Sequence, residues 1–157
     1  MTSHRGFACV GLYRPKCDGN VGGAIRAASV YEARHVVIAG DRSDWPTKGR
    51  LERTDTRSSH RHMPVSFVSD LADACPHESV MVAIEIANGA VPLPVFEHPP
   101  SAFYVFGPED GSLPSDVLRR CHHVVSVPTS GCMNLAATVN VTLYDRMAKQ
   151  FTSEGME

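Results

Sequence analysis

Eight consecutive residues, Val80 to Ala87 (VMVAIEIA), carry a single polar side chain. A run of this length, β-branched and without the alternation of a half-solvated strand, suits a central parallel strand buried on both faces. Parallel strands are joined by crossovers, usually helical, and those helices cover the two faces. The rest of the chain supplies such units. Residues 7–13 (FACVGLY) read as a first strand, Asn20 as the cap of a helix reaching about Ala33, and residues 35–40 (HVVIAG) as a second strand. Short strands follow at 65–68 and 102–106, with a brief helix over 70–74 between the first of these and Val80. The expected class is therefore α/β, a mostly parallel sheet flanked by helices. Glu85 is the one carboxylate inside the apolar run. It must find donors, either from neighbouring loops or from a ligand.

The segment from Val124 to Asp145 is less ordinary. Val-rich residues 123–128 read as a strand ended by Pro128, and a small polar turn leads into a helix with Leu135, Val139, Leu143 and Met147 spaced by four. Its other face carries Asn134, Ala136, Ala137, Thr138 and Asn140 where a solvated helix would carry Lys and Glu. Small residues admit a close neighbour, so something packs or binds against this turn. Residues 88–100 hold Pro92, Pro94, Pro99 and Pro100 and read as a long extended connection. Gly107-Pro108-Glu109-Asp110-Gly111 is a tight turn whose amides can face a ligand, and Pro114 suits the first turn of a helix reaching Arg119 or Arg120.

Several function classes are excluded on composition and motif. The formal net charge of −2 rules out the global basicity of many nucleic-acid binders, so such a role must rest on a local patch. The best patch lies within 41–62, where Arg42, Lys48, Arg50, Arg53, Arg57 and Arg61 stand beside Trp45. This is either a solvated face or a phosphate-contacting surface. Five cysteines without a Cys-x-x-Cys pair suggest reduced thiols in a cytoplasmic protein, and no metal site is expected. His122 and His123 point to opposite sides of a strand, which disfavours a shared metal. No apolar run approaches the roughly 18 residues of a membrane span. A Gly-x-Gly-x-x-Gly loop, a P-loop and a Gly-x-Ser-x-Gly elbow are all missing. The 157 residues read as one domain, with 152–157 as a disordered tail.

Three segments, each placed after a strand, carry a resemblance. They are Asn20-Val21-Gly22-Gly23-Ala24-Ile25-Arg26, then Phe106-Gly107-Pro108-Glu109 with Leu113, then Val127-Pro128 followed by Asn134-Leu135 and a helix through Leu143-Tyr144-Asp145. In this order they resemble the SpoU, or TrmH, branch of the SPOUT superfamily, RNA methyltransferases that use S-adenosylmethionine. The resemblance covers residues 7–150. It implies a parallel sheet with a C-terminal deep trefoil knot, a homodimer, and a cofactor cup built by Ile84–Gly89, Phe106–Ser112 and Val127–Leu135. Within that cup Ile84, Glu85, Gly89, Phe106, Gly107, Pro108, Val127, Pro128, Cys132 and Leu135 are the expected cofactor contacts.

By the same resemblance Arg26, Asn20, Glu109 and Asn134 form the catalytic set, and a ribose 2′-hydroxyl is the nucleophile. An arginine is a poor base, so Arg26 is expected to clamp the adjacent phosphate and orient the hydroxyl. Glu109 is expected to hold a backbone segment or Arg26 in place, and Asn134 to support the cup from the start of the last helix. Two departures stand out: Ser112 where the family has Gly, and Cys132 and Ala136 where many relatives have hydroxyls. A subset with Pro-Thr-x-x-Cys-x-Asn and Tyr-Asp-Arg matches Pro128, Thr129, Cys132, Asn134 and Tyr144-Asp145-Arg146. The basic segment, with Trp45, Arg50, Leu51 and Arg53, resembles minimal members that methylate the tRNA wobble ribose. A tRNA substrate is thus expected, with an rRNA-directed enzyme or a catalytically weak cofactor- and RNA-binding relative as alternatives.

Overall fold

A computed structural model describes residues 6–40 and 62–155. The basic candidates Arg42, Lys48, Arg50, Arg53, Arg57 and Arg61 lie outside the described residues. The order is β1 (Ala8–Tyr13), α1 (Asp18–Val30), β2 (His35–Ala39), β3 (Val65–Val68), a 3-10 turn (Ala72–Ala74), β4 (Val80–Ile84), β5 (Val91–Pro92), a second 3-10 turn (Leu93–Val95), β6 (Ala102–Phe106), α2 (Ser115–Arg120), β7 (His123–Ser126) and α3 (Leu135–Glu154).

The strands form one sheet in the order β3-β2-β1-β6-β4-β7-β5, and every pairing is parallel. The apolar runs are therefore central, as their lack of alternation required. Alternate residues serve opposite faces. Val10, Leu12, Val82, Ile84, Tyr104 and Phe106 pack under α1 and α3, while Cys9, Met81, Ala83, Phe103 and Val105 pack under Leu71, Leu113 and Val117.

The small face of α3 meets α1. A Cβ placed on Gly23 would lie 2.7 Å from the Cβ of Ala136, so only glycine permits this helix-to-helix approach. Leu135, Val139 and Leu143 are buried as the spacing requires, but Met147 is 45% exposed. Each step of four residues overshoots one turn by about 40°, so after three steps the fourth side chain has left the core face.

Several boundaries differ from expectation. β4 stops at Ile84, which puts Glu85 just beyond the strand end rather than inside it. The proline-rich connection holds a two-residue strand after all: Pro92 is tolerated because β5 lies at the sheet edge. The N-cap of α1 is Cys17, and Asn20 sits within the first turn. Helix α3 continues to Glu154, so 152–154 is helical and not tail.

A charged cluster ties α3 to the connection before β6. Arg146, 5% exposed, donates to the carbonyls of Pro99 and Pro100 at 2.7 Å each. Lys149 donates to Leu93 O at 2.6 Å and Phe96 O at 2.9 Å, and pairs with Asp145 at 2.7 Å. Asp145 also holds His98 Nε2 at 2.8 Å, and His98 Nδ1 lies 2.7 Å from Tyr104 Oη. A carboxylate only accepts, so Nε2 donates to Asp145, and Nδ1 of a neutral His98 accepts a hydrogen bond from the Tyr104 hydroxyl.

Candidate active site

Three chain turns converge at the carboxyl ends of β4, β6 and β7, where open parallel sheets place their ligand crevices. The first supplies Ile84, Glu85 and Ile86; the second supplies Phe106, Gly107, Pro108, Glu109 and Gly111. Val127, Thr129, Cys132 and Met133 come from the third, and Leu135 and Thr138 from the start of α3. Of the expected cofactor contacts, Ile84, Glu85, Phe106, Gly107, Pro108, Val127, Cys132 and Leu135 line this cleft. Gly89 and Pro128 do not. Ile86, Gly111, Thr129 and Met133, inside the expected cup segments but not named as contacts, line it too, and Thr138 joins them from the first turn of α3.

Glu85 fastens two of these turns together. Its carboxylate accepts from Ile86 N at 2.9 Å and, across the cleft floor, from Leu113 N at 2.8 Å. Of the two alternatives raised by the sequence, the structure shows the loop donors, and Glu85 also lines the cleft.

Glu109 makes the more consequential set of bonds. It accepts from Lys16 N at 2.8 Å, Cys17 N at 3.2 Å and Asn20 Nδ2 at 3.1 Å. Two of these are backbone donors at the start of α1, where amides lack partners within the helix. A carboxylate there is favoured by the helix dipole as well. Partial burial pushes the Glu109 pKa up, but donors from Lys16, its own amide, Asn20 and Cys17 outweigh this and hold it below the usual carboxylate value. Glu109 is therefore an anionic staple between the cleft loop and the β1–α1 loop.

Asn134 is the N-cap of α3, its side chain accepting from Ala137 N at 2.8 Å. Capping fixes the helix start that presents Leu135 and Thr138 to the cleft. Arg26 is half-buried on α1, six residues beyond Asn20, and is not among the cleft-lining residues of this chain. No group of three or more His, Cys, Asp or Glu able to hold a metal occurs among the described residues. Burial pushes the thiols of Cys9 and Cys121 up to about 11, so neither is a ready nucleophile.

Comparison with known proteins agrees with this architecture. An rRNA methyltransferase from Sinorhizobium meliloti superposes with a TM-score of 0.81 at 21% identity, covering 92% of this chain and 57% of that one. The SpoU methyltransferase AviRb from Streptomyces viridochromogenes gives 0.81 at 21% identity, covering 94% and 61%. The chain thus spans about three fifths of the length of these two. A structure concerned with 2-OH methylation of C/U34 on tRNA gives 0.78 at 22% identity, covering 93% of this chain and 92% of that one. No curated protein matches the chain. The model of the SpoU rRNA Methylase family matches residues 8–144, which is most of the sequence and contains every residue that lines the cleft, and the chain belongs to that family.

Proposed function

We propose that the chain is an S-adenosylmethionine-dependent RNA methyltransferase that acts on a ribose 2′-hydroxyl, with tRNA as its substrate. The observation that carries this reading is the Glu109 staple, which joins a cleft-lining turn to the loop that leads into Asn20 and Arg26. Neighbours of this fold support it: two of them, from S. meliloti and S. viridochromogenes, are AdoMet-bound structures, and another is an RNA 2′-O ribose methyltransferase. The structure concerned with C/U34 on tRNA is matched over nearly its full length, which favours tRNA over rRNA.

The cleft fits the cofactor on its own features. Ile86 is 73% exposed at the rim, beside the apolar Ile84, Phe106, Val127 and Leu135. A large aliphatic side chain left open next to an apolar wall suits a flat aromatic ring such as adenine. When bound, S-adenosylmethionine supplies an electrophilic methyl group on a sulfonium. Transfer to a hydroxyl is an in-line displacement governed by positioning, so the protein's contribution is geometric. Glu85 and Asn134 fix the walls, and Glu109 fixes the β1–α1 loop against them. A guanidinium keeps its proton at neutral pH, so Arg26 acts as a phosphate clamp that orients the hydroxyl and not as its base.

The same reading includes a homodimer, a C-terminal trefoil knot and a cytoplasmic site of action. Val141, Tyr144 and Phe151 of α3 are 37%, 56% and 80% exposed and share one helix face, an apolar stripe suited to a second copy. Threading is supported by the way Arg146 and Lys149 grip carbonyls along 93–100 from a helix that packs also on α1. No helix among the described residues is long and apolar enough to cross a membrane.

The deciding experiment is methyl transfer from labelled S-adenosylmethionine to bulk tRNA, followed by digestion to nucleosides, with calorimetry for cofactor binding. The expected product is a 2′-O-methylated nucleoside. Cofactor binding without transfer to any RNA would leave a binding relative in place of an enzyme.

A further inference from the structure

One exposed cation sits in a conformation that its residue type disfavours. Arg14 has φ 47°, the left-handed region that side chains with a Cβ rarely adopt. It is held there from two directions. Its N–H donates to Ala39 O at 2.7 Å, and its stem lies against Gly40, where an added Cβ would come within 2.9 Å of Arg14 Cγ. Gly40 is itself left-handed at φ 61°, so the ends of β1 and β2 interlock at one place. Strain retained by an exposed arginine is a mark of function more than of stability, since glycine or asparagine would sit there at lower cost.

The register locates this residue relative to the cleft. Leu12 of β1 lies beside Phe106 of β6, and two residues further on each strand end are Arg14 and the cleft residue Pro108. Next along the loop, Lys16 is 61% exposed but ion-paired with Asp110 at 3.6 Å, and the Lys16 and Cys17 amides are bound by Glu109. The loop carrying Arg14 therefore cannot move independently of the cleft rim. An arginine fork is the side chain best shaped for a phosphate.

Resting on the RNA methyltransferase reading, we propose that Arg14 grips a backbone phosphate of the RNA strand that crosses the cleft mouth. The grip sets which ribose is presented to the cleft, and the interlocked strand ends pre-organise it.

The test is binding of a labelled tRNA by the full chain across a salt series, for wild type, Arg14→Asn and Arg14→Lys, with cofactor affinity and Tm measured alongside. Asparagine accepts left-handed backbone, so its Tm is expected to equal or exceed that of wild type, with cofactor affinity unchanged. RNA affinity should fall about tenfold, the loss expected of one charge-assisted contact, and the slope of log K against log salt should become shallower by about one. Arg14→Lys should keep the slope while losing part of the affinity. If Arg14→Asn is unstable, Arg14→Gly, which has no Cβ to strain, takes its place. A salt slope equal to wild type, with a lowered Tm, would show Arg14 to be structural and overturn the proposal. A wild-type protein that binds no RNA removes the function reading together with this inference, whereas an unchanged variant slope removes this inference alone.

Discussion

Glu109 concentrates more of the site's geometry than any other side chain, because one carboxylate fixes two backbone amides and one side-chain amide from a segment ninety residues away in sequence. Glu109→Gln keeps the size but replaces one acceptor oxygen with a donor group facing N–H groups. Loosening the β1–α1 loop by an ångström should lower kcat on the order of 100-fold, with a far smaller change in cofactor affinity by calorimetry. A variant with equal losses in both would place Glu109 in cofactor binding alone. Arg26→Lys tests the clamp: a bidentate fork is lost while the charge remains, so single-turnover rates should fall well below wild type, and a rate near wild type would end the clamp assignment. At this scale the sequence was partly legible. Glu109 and Asn20 were visible as members of spaced motifs, but Asn20 reads as a helix cap from its residue type, and only the structure shows its amide turned to Glu109 with Cys17 as the cap. Tertiary bonds decide such cases, and a linear pattern does not contain them.

Among the elements, α3 does two jobs that its sequence displays unequally. Its N-terminal half, capped by Asn134 and pressed to α1 through Ala136 and Gly23, presents one cleft wall. Ala136 is where α3 comes closest to Gly23 of α1, so its small side chain serves the contact between the two helices. Its C-terminal half is an anchor, and here periodicity misled: Met147 follows the spacing but not the core, while Arg146, polar by type, is buried. A buried arginine is legible only once its acceptors are placed, and those are proline carbonyls about 46 residues earlier in the chain. Arg146→Ala would remove a buried guanidinium and leave the part-buried carbonyls of Pro99 and Pro100 without its N–H groups. The expected loss is about 3 kcal/mol of stability, read from denaturant unfolding, with a loss under about 1 kcal/mol showing that water replaces the guanidinium.

For the molecule as a whole, the class of a parallel α/β fold followed from unbroken apolar runs, because strands buried on both faces need no alternation to announce them, whereas the strand order β3-β2-β1-β6-β4-β7-β5 came only from the structure. The 88–100 connection did not follow, since four prolines conceal a strand that survives only at an edge. The charged cluster beneath that connection should make stability depend on pH. Burial holds the His98 pKa below its ordinary 6.5, against the opposing pull of Asp145, with Tyr104, Arg146 and Lys149 the other groups facing it. The unfolded chain then binds the proton that the folded chain refuses, so stability falls as pH drops below about 6.5 and is recovered above it. Tm should be lower at pH 5.5 than at 7.5, and the difference should shrink in His98→Gln; an undiminished difference would assign the effect elsewhere. The edge strand itself has a further consequence. β5 is two residues long, and Pro92, one of them, has no N–H to offer. A neighbouring chain seeking to extend the sheet finds no ladder to copy on that side. Pro92→Val would restore the missing donor and lengthen the β-forming run beside the exposed Val91. Light scattering on heating should then report earlier and heavier aggregation, although neither Val91 nor Pro92 lines the cleft.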